Sequence, residues 1–121
     1  MIILPKKSCY GKLPPLRETV RRHQINARRS LGQHFLFDLN ITRRITKIPG
    51  SLSGKTIIEI GSGPGALTRS ILETNAKLVV AIERDQRCIK ALNELQSFYP
   101  DRLLVVEADA LSLDITKLNK N

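Results

Sequence analysis

A glycine-rich turn, Glu59-Ile60-Gly61-Ser62-Gly63-Pro64-Gly65, follows a short β-branched run and precedes an apolar helical pattern. The run Thr56–Ile60 is typical of a buried strand, and the pattern over 66–73 predicts a helix. Glycines at such a junction permit positive φ angles and let a ligand approach the backbone closely. The turn therefore predicts a nucleotide-cofactor loop. The alternative for Gly63 and Gly65 is a purely structural role, in which they allow close packing of the helix.

Strand and helix patterns alternate through the rest of the chain. Apolar runs at 78–82 and 103–106 predict two more strands. Asp85 is placed to cap a helix whose inward stripe is Cys88, Ile89, Leu92 and Leu95. This alternation predicts a parallel sheet covered on both faces, and right-handed crossovers give the strand order 3-2-1. The predicted fold class is α/β, the first half of a doubly wound Rossmann-like fold.

A further helix is predicted upstream of the turn. Asp38 is placed as its N-cap, and Pro49-Gly50 ends it. Apolar residues recur within it at roughly helical spacing, at Leu39, Ile41, Ile45 and Ile48. The first predicted strand has an exposed edge, at which aggregation and dimerisation both remain open.

The positive charge is concentrated in the first part of the chain. Of the net charge of +9, residues 1–50 supply all, with eleven Lys/Arg against two acids, whereas residues 51–121 hold nine of each. A one-sided basic segment is an electrostatic footprint for a polyanion, although a solvated tail without a partner has the same composition. We divide the chain into a basic, partly disordered leader at 1–30, with a short helix over 16–24, and a domain at 31–121.

Several function classes have no support in the sequence. No apolar run approaches the ~20 residues that cross a bilayer, and the apolar start is too short for a signal peptide. The two cysteines, Cys9 and Cys88, are distant in sequence, and no Cys/His cluster has metal-ligand spacing. We therefore expect a cytoplasmic protein with free thiols, without a membrane partner and without a metal site.

Three carboxylates lie at predicted strand ends around the glycine turn. Glu59 lies just inside the end of the first strand, Glu83 follows the second and Asp109 follows the third. Ligands of parallel sheets bind at this edge, where Glu83 is placed to accept hydrogen bonds from a ribose diol and Asp109 from the amine of an adenine. Each acid alone is also compatible with an ordinary polar strand end.

Two cofactors compete for this arrangement. The acid before the turn and the Asp109-Ala110 pair favour S-adenosylmethionine, because this cofactor carries a sulfonium and no phosphate. However, Gly61-x-Gly63-x-x-Ala66 together with Glu83 also fits a dinucleotide fingerprint. An NAD-binding half-domain is therefore the alternative.

Four motifs occur in the order and spacing of one known family. They are the stretch from Arg29 to Asn40 (Arg-Ser-Leu-Gly-Gln-His-Phe-Leu-Phe-Asp-Leu-Asn), residues 57–67, Ala81-Ile82-Glu83-Arg84-Asp85, and Asp109-Ala110-Leu111. Over about residues 13–118 the chain resembles the small-subunit ribosomal RNA adenine dimethyltransferases. The N-terminal motif is the most specific part of this resemblance.

The resemblance implies a class I S-adenosylmethionine methyltransferase fold and a defined reaction. Members of the family dimethylate the exocyclic amine of adjacent adenosines near the 3′ end of small-subunit rRNA. The partner implied is thus this rRNA or the pre-ribosomal small subunit. Arg28 and Arg29 suit contacts to the RNA backbone.

The resemblance also implies roles in cofactor binding. His34 and Leu36 would fold over the cofactor, Gly61 would line its methionine end, Glu83 would hold the ribose and Asp109 the adenine. His34 replaces the family's more usual asparagine. Both residues donate hydrogen bonds, but a protonated imidazole would sit poorly beside a sulfonium.

The family's fourth motif, asparagine-(leucine or isoleucine)-proline-(tyrosine or phenylalanine), does not occur in the 121 residues. Its oxygen acceptors hold the adenine amine in line with the methyl group, and its aromatic ring stacks on the extruded base. The family's C-terminal helical RNA-binding domain does not follow either. We therefore assign no catalytic residue and expect the chain alone to be catalytically incomplete. A non-catalytic RNA-binding fragment is a second functional alternative.

Overall fold

The computed structural model describes residues 12–25, 38–114 and 116. In chain order, their helices and strands are α1 (Leu16–Arg22), α2 (Leu39–Lys47), β1 (Thr56–Ile60), α3 (Ala66–Leu72), β2 (Leu78–Glu83), α4 (Gln86–Phe98) and β3 (Leu103–Glu107). The strands and helices predicted in this part of the chain are all present, and their ends differ from the prediction by no more than two residues.

Two helices begin at the aspartate N-caps that the sequence predicts. The Asp38 carboxylate accepts a hydrogen bond from the Asn40 amide at 2.8 Å, and the Asp85 carboxylate accepts one from the Arg87 amide at 2.9 Å. These bonds satisfy donors that the first turn of a helix leaves unpaired. The cap at Asp85 starts α4 directly beyond β2, at the edge where the strands end.

The three strands form one parallel sheet in the order β1-β2-β3. In its register Ile58 lies beside Val80, which lies beside Leu104. The predicted 3-2-1 arrangement is therefore confirmed. Because the strands are parallel, the glycine turn, Glu83 and the chain beyond β3 all leave the sheet at its carboxyl edge.

The main hydrophobic core lies between one face of the sheet and helices α3 and α4. Alternate residues of the strands point to this face, and they pack against Leu72 of α3 and Leu92 and Leu95 of α4. The strand residues of the core include Val79, Ala81 and Leu103. The inward stripe predicted for α4 is confirmed by the burial of Cys88, Ile89, Leu92 and Leu95.

The opposite face of the sheet differs from the prediction. Val80 and Ile82 on this face are buried, but Ile60 is 54% and Leu104 is 43% exposed. Right-handed crossovers that lead in one direction along a sheet place both connecting helices on the same side. The apolar runs led us to expect helices on both faces of the sheet. Within the described ranges, the second face is therefore only partly covered.

Helix α1 is docked on α3 and α4 by apolar and ionic contacts. Ile25, just beyond α1, is buried with Cys88 and Ala91 of α4. Glu94 of α4 accepts hydrogen bonds from Arg22 at 2.6 Å and pairs with His23 at 2.8 Å. The basic helix predicted from the sequence is thus packed against the sheet domain.

A buried arginine of α3 completes this docking. The guanidinium of Arg69 donates to the Pro14 carbonyl at 2.7 Å and to the Thr19 hydroxyl at 3.3 Å. Arg69 is only 9% exposed, and its Nε atom is buried without a hydrogen-bond partner. Burial lowers the pKa of this guanidinium, but the side chain remains a strong donor because an arginine stays charged in proteins.

Helix α2 buries a face that its apolar pattern did not indicate. Thr42 and Thr46 are its buried residues, whereas Ile41 is 42% and Ile48 is 80% exposed. The Thr42 hydroxyl lies 2.6 Å from the Ser70 hydroxyl of α3 in a buried hydrogen bond. Small hydroxyl side chains allow the two helices to approach closely and satisfy each other, so they are the most buried residues of α2, whereas Leu39 and Ile45 are only half-buried.

None of the helices within the described residues is both long enough and apolar enough to span a membrane.

Candidate functional site

The glycine turn connects β1 to α3 at the carboxyl edge of the sheet. Gly61, Gly63 and Gly65 all have positive φ, at 69°, 58° and 104°. A Cβ atom at Gly65 would lie 3.2 Å from Leu92 Cδ2, whereas a Cβ atom at Gly61 would have no described atom within 4 Å apart from those of its chain neighbours. The conformation therefore accounts for glycine at both positions, and close packing on α4 is an additional reason at Gly65.

The backbone donors of the turn are bonded within the protein. The Gly61 and Ser62 amides donate to the Ile82 carbonyl at 2.9 and 3.2 Å, and the Gly65 amide donates to the Ser62 carbonyl at 3.2 Å. The Gly63 amide donates to Glu83 Oε1 at 2.8 Å. The turn is thus held against the end of β2.

Glu83 links the end of β2 to this turn. Besides the Gly63 amide, its carboxylate accepts hydrogen bonds from the amides of Arg84 at 2.7 Å and Asp85 at 2.8 Å, both on Oε2. The residue is 9% exposed. A carboxylate offers about four acceptor positions, and backbone donors fill three of them here. The structure therefore brings Glu83 and the glycine turn into direct contact.

Asp109 lies on the neighbouring part of the same edge. The Ala108 amide donates to the Glu83 carbonyl at 3.0 Å, which places Asp109 one residue beyond that contact. Its carboxylate accepts a hydrogen bond from the Leu111 amide at 3.0 Å and lies 3.8 Å from Arg84 Nη1. The Asp109 side chain is about half exposed, so one side of it faces solvent.

Glu59 is the most enclosed acid of the site. It is the second-last residue of β1, is 8% exposed, and accepts a hydrogen bond from the Thr68 hydroxyl in the first turn of α3. Burial raises the pKa of the Glu59 carboxyl above its usual range, while the hydrogen bond from Thr68 acts in the opposite direction. Glu59 therefore contacts the base of the turn from the core side.

Four of the predicted site residues lie outside the described part of the chain. These are Arg28, Arg29, His34 and Leu36. The described residues next to this segment contact two helices of the domain. Gln24 accepts a hydrogen bond from Arg87 in the first turn of α4, and Asp38 begins α2, whose next turn contacts Ser70 of α3.

Two contacts of the site were not predicted from the sequence. Thr68 falls within a helical pattern, where a threonine gives no sign of a partner on the preceding strand. Arg84 carries no signal beyond its place after Glu83. Both contacts join residues that only the folded sheet brings together.

Within the described ranges, no group of three or more His, Cys, Asp or Glu side chains is arranged to hold a metal ion. Cys88 is a free, buried thiol, and burial raises its pKa to about 12. This thiol is therefore a packing residue of the α1–α4 contact.

Comparisons with known proteins agree with this geometry. A curated relative from Azorhizobium caulinodans, a ribosomal RNA small subunit methyltransferase A, is 54% identical over 108 residues, which is 89% of this chain and 37% of the relative. Among solved structures, a dimethyladenosine transferase from Plasmodium falciparum matches with a TM-score of 0.59 and 30% identity, over 68% of this chain and 30% of that one. The 23S rRNA methyltransferase ErmE matches with a TM-score of 0.59 and 33% identity, over 67% of this chain and 32% of that one.

The extent of these matches defines what the chain represents. It spans less than two fifths of the length of the curated relatives that it matches. Its three parallel strands and their helices form part of the Rossmann-like fold of class I methyltransferases. The family model for ribosomal RNA adenine dimethylases matches residues 24–121. The chain therefore belongs to the ribosomal RNA adenine dimethylase family.

Proposed function

We propose that this chain binds S-adenosylmethionine at the carboxyl edge of its sheet. The observation that carries the proposal is the hydrogen bond between Glu83 and the Gly63 amide. It joins the acid expected to hold the ribose to the turn expected to approach the methionine end. Asp109, at the end of the next strand, then lies where the adenine amine would bind, and Gly61 lines the methionine end.

The state of the turn supports S-adenosylmethionine over NAD. A diphosphate is bound by unpaired backbone N–H groups at a helix N-terminus. The amides of Gly61, Ser62, Gly63 and Gly65 already donate to protein acceptors, so the turn itself leaves a diphosphate only the first amides of α3. Glu83 and Glu59 add two carboxylates next to the same turn, which suits a cofactor with a sulfonium and an ammonium group and no phosphate.

The segment before α2 supplies the rest of the proposed site. His34 and Leu36 would cover the cofactor, and Arg28 and Arg29 would contact the RNA backbone. This assignment rests on the resemblance of residues 29–40 to the family's N-terminal motif. We retain a basic leader over residues 1–30 and a cofactor-binding domain over residues 31–121.

The reaction proposed for the whole enzyme is the dimethylation of adjacent adenosines near the 3′ end of small-subunit rRNA, in the cytoplasm. When bound, the cofactor would supply an activated methyl group: the bond from the adenine amine to the methyl carbon would form as the sulfonium carbon–sulfur bond breaks, S-adenosylhomocysteine would leave, and the amine would lose a proton. The residues of this chain contribute orientation, because they fix the ribose and the adenine of the cofactor at one edge of the sheet. The asparagine-x-proline-aromatic motif that would position the acceptor amine does not occur in the 121 residues. We therefore expect cofactor binding without methyl transfer.

Calorimetry with S-adenosylhomocysteine and with NAD tests the cofactor. Binding of S-adenosylhomocysteine alone is expected, and Glu83→Gln should weaken it at least tenfold, since charge-assisted bonds to the ribose contribute ~1.5–3 kcal/mol. Glu107→Gln is the matched control, because Glu107 ends the neighbouring strand opposite Glu83 but pairs with Gln86. Binding of NAD, or equal effects of the two substitutions, would contradict the proposal.

Methyl transfer is tested in a separate assay. The purified chain is incubated with labelled S-adenosylmethionine and undermethylated small subunits. No transfer of label is expected. Methylated adenosine in this assay would show that the missing motif is dispensable.

A non-catalytic RNA-binding role is a second candidate, and the excess charge of +9 within residues 1–50 favours it. Its test is RNA affinity at several salt concentrations for Arg28→Ala/Arg29→Ala. Loss of two phosphate contacts should reduce the slope of log K against log salt by ~1.4–1.8. Arg17→Ala/Arg21→Ala, on the exposed side of α1, is the control with the same change in charge. Equal slopes for the two double variants would show that residues 28 and 29 make no specific contribution.

A further inference from the structure

We propose that Glu59 is a positioning residue for the cofactor turn, acting through Thr68 and without contacting the cofactor. This role rests on the binding of S-adenosylmethionine proposed above. It separates Glu59 from the other two acids at the edge, Glu83 and Asp109, to which we assign cofactor contacts.

The bond between Glu59 and Thr68 ties the two ends of the turn together. Glu59 is the second-last residue of β1, and Thr68 lies in the first turn of α3. Thr68 is completely buried, and its hydroxyl donates to Glu59 Oε1. The Ser62 hydroxyl, within the turn, also donates to the Glu59 carbonyl at 3.4 Å. Both ends of the glycine segment are therefore connected through one residue.

The turn needs such a connection because its own backbone is permissive. Gly61, Gly63 and Gly65 adopt positive φ, and glycine reaches many other conformations at similar energy. The bonds to Ile82 and Glu83 hold the turn from the side of β2. The bond between Glu59 and Thr68 is its attachment on the side of β1 and α3.

The surroundings of Glu59 favour this role over direct cofactor binding. A residue that pairs with the cofactor's ammonium group must be ionised and reachable. Glu59 is 8% exposed, and burial raises its pKa, which opposes ionisation. The Thr68 hydroxyl requires only an acceptor oxygen, which an uncharged carbonyl also supplies. The negative charge of Glu59 is thus dispensable for positioning the turn, whereas its acceptor oxygen is required.

Four substitutions distinguish the role of the acceptor oxygen of Glu59 from the role of its negative charge. Thr68→Val removes the donor at almost unchanged volume, and Thr68→Ser keeps it. Glu59→Ala removes the acceptor, and Glu59→Gln keeps an acceptor oxygen without charge. We expect Thr68→Val and Glu59→Ala to weaken the binding of S-adenosylhomocysteine about tenfold, whereas Thr68→Ser and Glu59→Gln stay within about threefold of the parent chain. The double variant Glu59→Ala/Thr68→Val should bind like either single variant.

Hydrogen exchange of the unliganded proteins provides a second readout. Thr68→Val should speed exchange of the turn amides at Gly61, Ser62, Gly63 and Gly65, and Thr68→Ser should leave it unchanged. If the parent chain does not bind S-adenosylhomocysteine, the proposed function fails, and exchange still decides whether the turn is positioned through Thr68.

Two results would overturn the positioning role. A loss of affinity in Glu59→Gln as large as in Glu59→Ala would show that the charge acts on the cofactor. Unchanged exchange and unchanged affinity in Thr68→Val would show that the hydrogen bond does not hold the turn. If Glu59→Ala does not fold, the comparison of Glu59→Gln with Thr68→Val gives the same decision.

Discussion

Replacing Gly65 with alanine tests whether the glycine turn depends on packing as well as on backbone conformation. Gly65 has φ of 104°, and a Cβ atom there would lie 3.2 and 3.4 Å from Leu92 and Leu95. A non-glycine residue in the left-handed region costs ~1–2 kcal/mol, and forcing an extra methyl group into a packed core costs ~1–3 kcal/mol. Gly65→Ala should therefore lower the free energy of unfolding by about 2–5 kcal/mol.

Gly61→Ala provides the comparison, because it changes the conformational cost alone. Gly61 has φ of 69°, and apart from its chain neighbours no described atom lies within 4 Å of a Cβ there. This variant should lose only ~1–2 kcal/mol. Urea unfolding followed by circular dichroism measures the stability of both variants. Because the free energy of unfolding falls by ~1–3 kcal/mol per molar urea, the additional loss of stability in Gly65→Ala lowers its unfolding midpoint by about 1 M relative to Gly61→Ala. Equal midpoints for the two variants would refute the packing role of Gly65.

Three further side chains outside the turn give testable expectations. Arg69→Met removes the donors to Pro14 and Thr19, so it should lower the free energy of unfolding by ~1–3 kcal/mol. It should also speed hydrogen exchange in α1 more than elsewhere, and an equal increase in exchange rate across the whole chain would contradict this. Cys88, with a pKa raised to about 12, should not react with a thiol reagent at pH 8 in a Cys9→Ser background until urea is added; rapid reaction of the folded chain would show that the thiol is accessible. The pKa of Asp85 is lowered chiefly by its hydrogen bond with Arg87, so its contribution to stability is present above its unfolded-state pKa and lost as pH falls through the lower folded-state value. Asp85→Asn should accordingly show a smaller fall in melting temperature between pH 7 and pH 3, and parallel curves would contradict the sign of this shift.

Much of the fold follows from local sequence signals. The strands are short β-branched runs ended by glycine or polar residues, and the glycine turn is recognisable from Gly61, Gly63 and Gly65 alone. The N-caps at Asp38 and Asp85 are predictable because capping depends on one side chain and the two or three residues after it. The parallel order follows from the handedness of the crossovers.

The contacts that hold helices together were not predictable in the same way. The isoleucines of α2 indicate an apolar face, but the helix buries Thr42 against Ser70, 28 residues away in sequence. Arg69 pairs with a carbonyl 55 residues away. A polar residue shows its partner only when both are placed by the fold, and hydrophobic periodicity carries no information about such pairs.

The candidate site shows the same division. The positions of Glu83 and Asp109 at strand ends were predictable, because the carboxyl edge of a parallel sheet collects whatever follows each strand. The hydrogen bond from Thr68 to Glu59 was not, and the cofactor roles of Gly61, Glu83 and Asp109 stay predictions until binding is measured. The roles of His34, Leu36, Arg28 and Arg29 also stay predictions, since those residues lie outside the described part of the chain.

The hydrogen bonds of Glu83 couple cofactor binding to the shape of the turn. Its carboxylate has about four acceptor positions, and three backbone amides occupy three of them. A ribose diol that donates two hydrogen bonds would need the free position and one occupied position. The amides of Arg84 and Asp85 belong to the residues directly after Glu83 and move with it, whereas the Gly63 amide belongs to the turn. The hydrogen bond from the Gly63 amide is therefore the one that a ribose would share or displace. Because this would weaken the attachment of the turn to β2, the hydrogen bond between Glu59 and Thr68 becomes most important for holding the turn when the cofactor is bound.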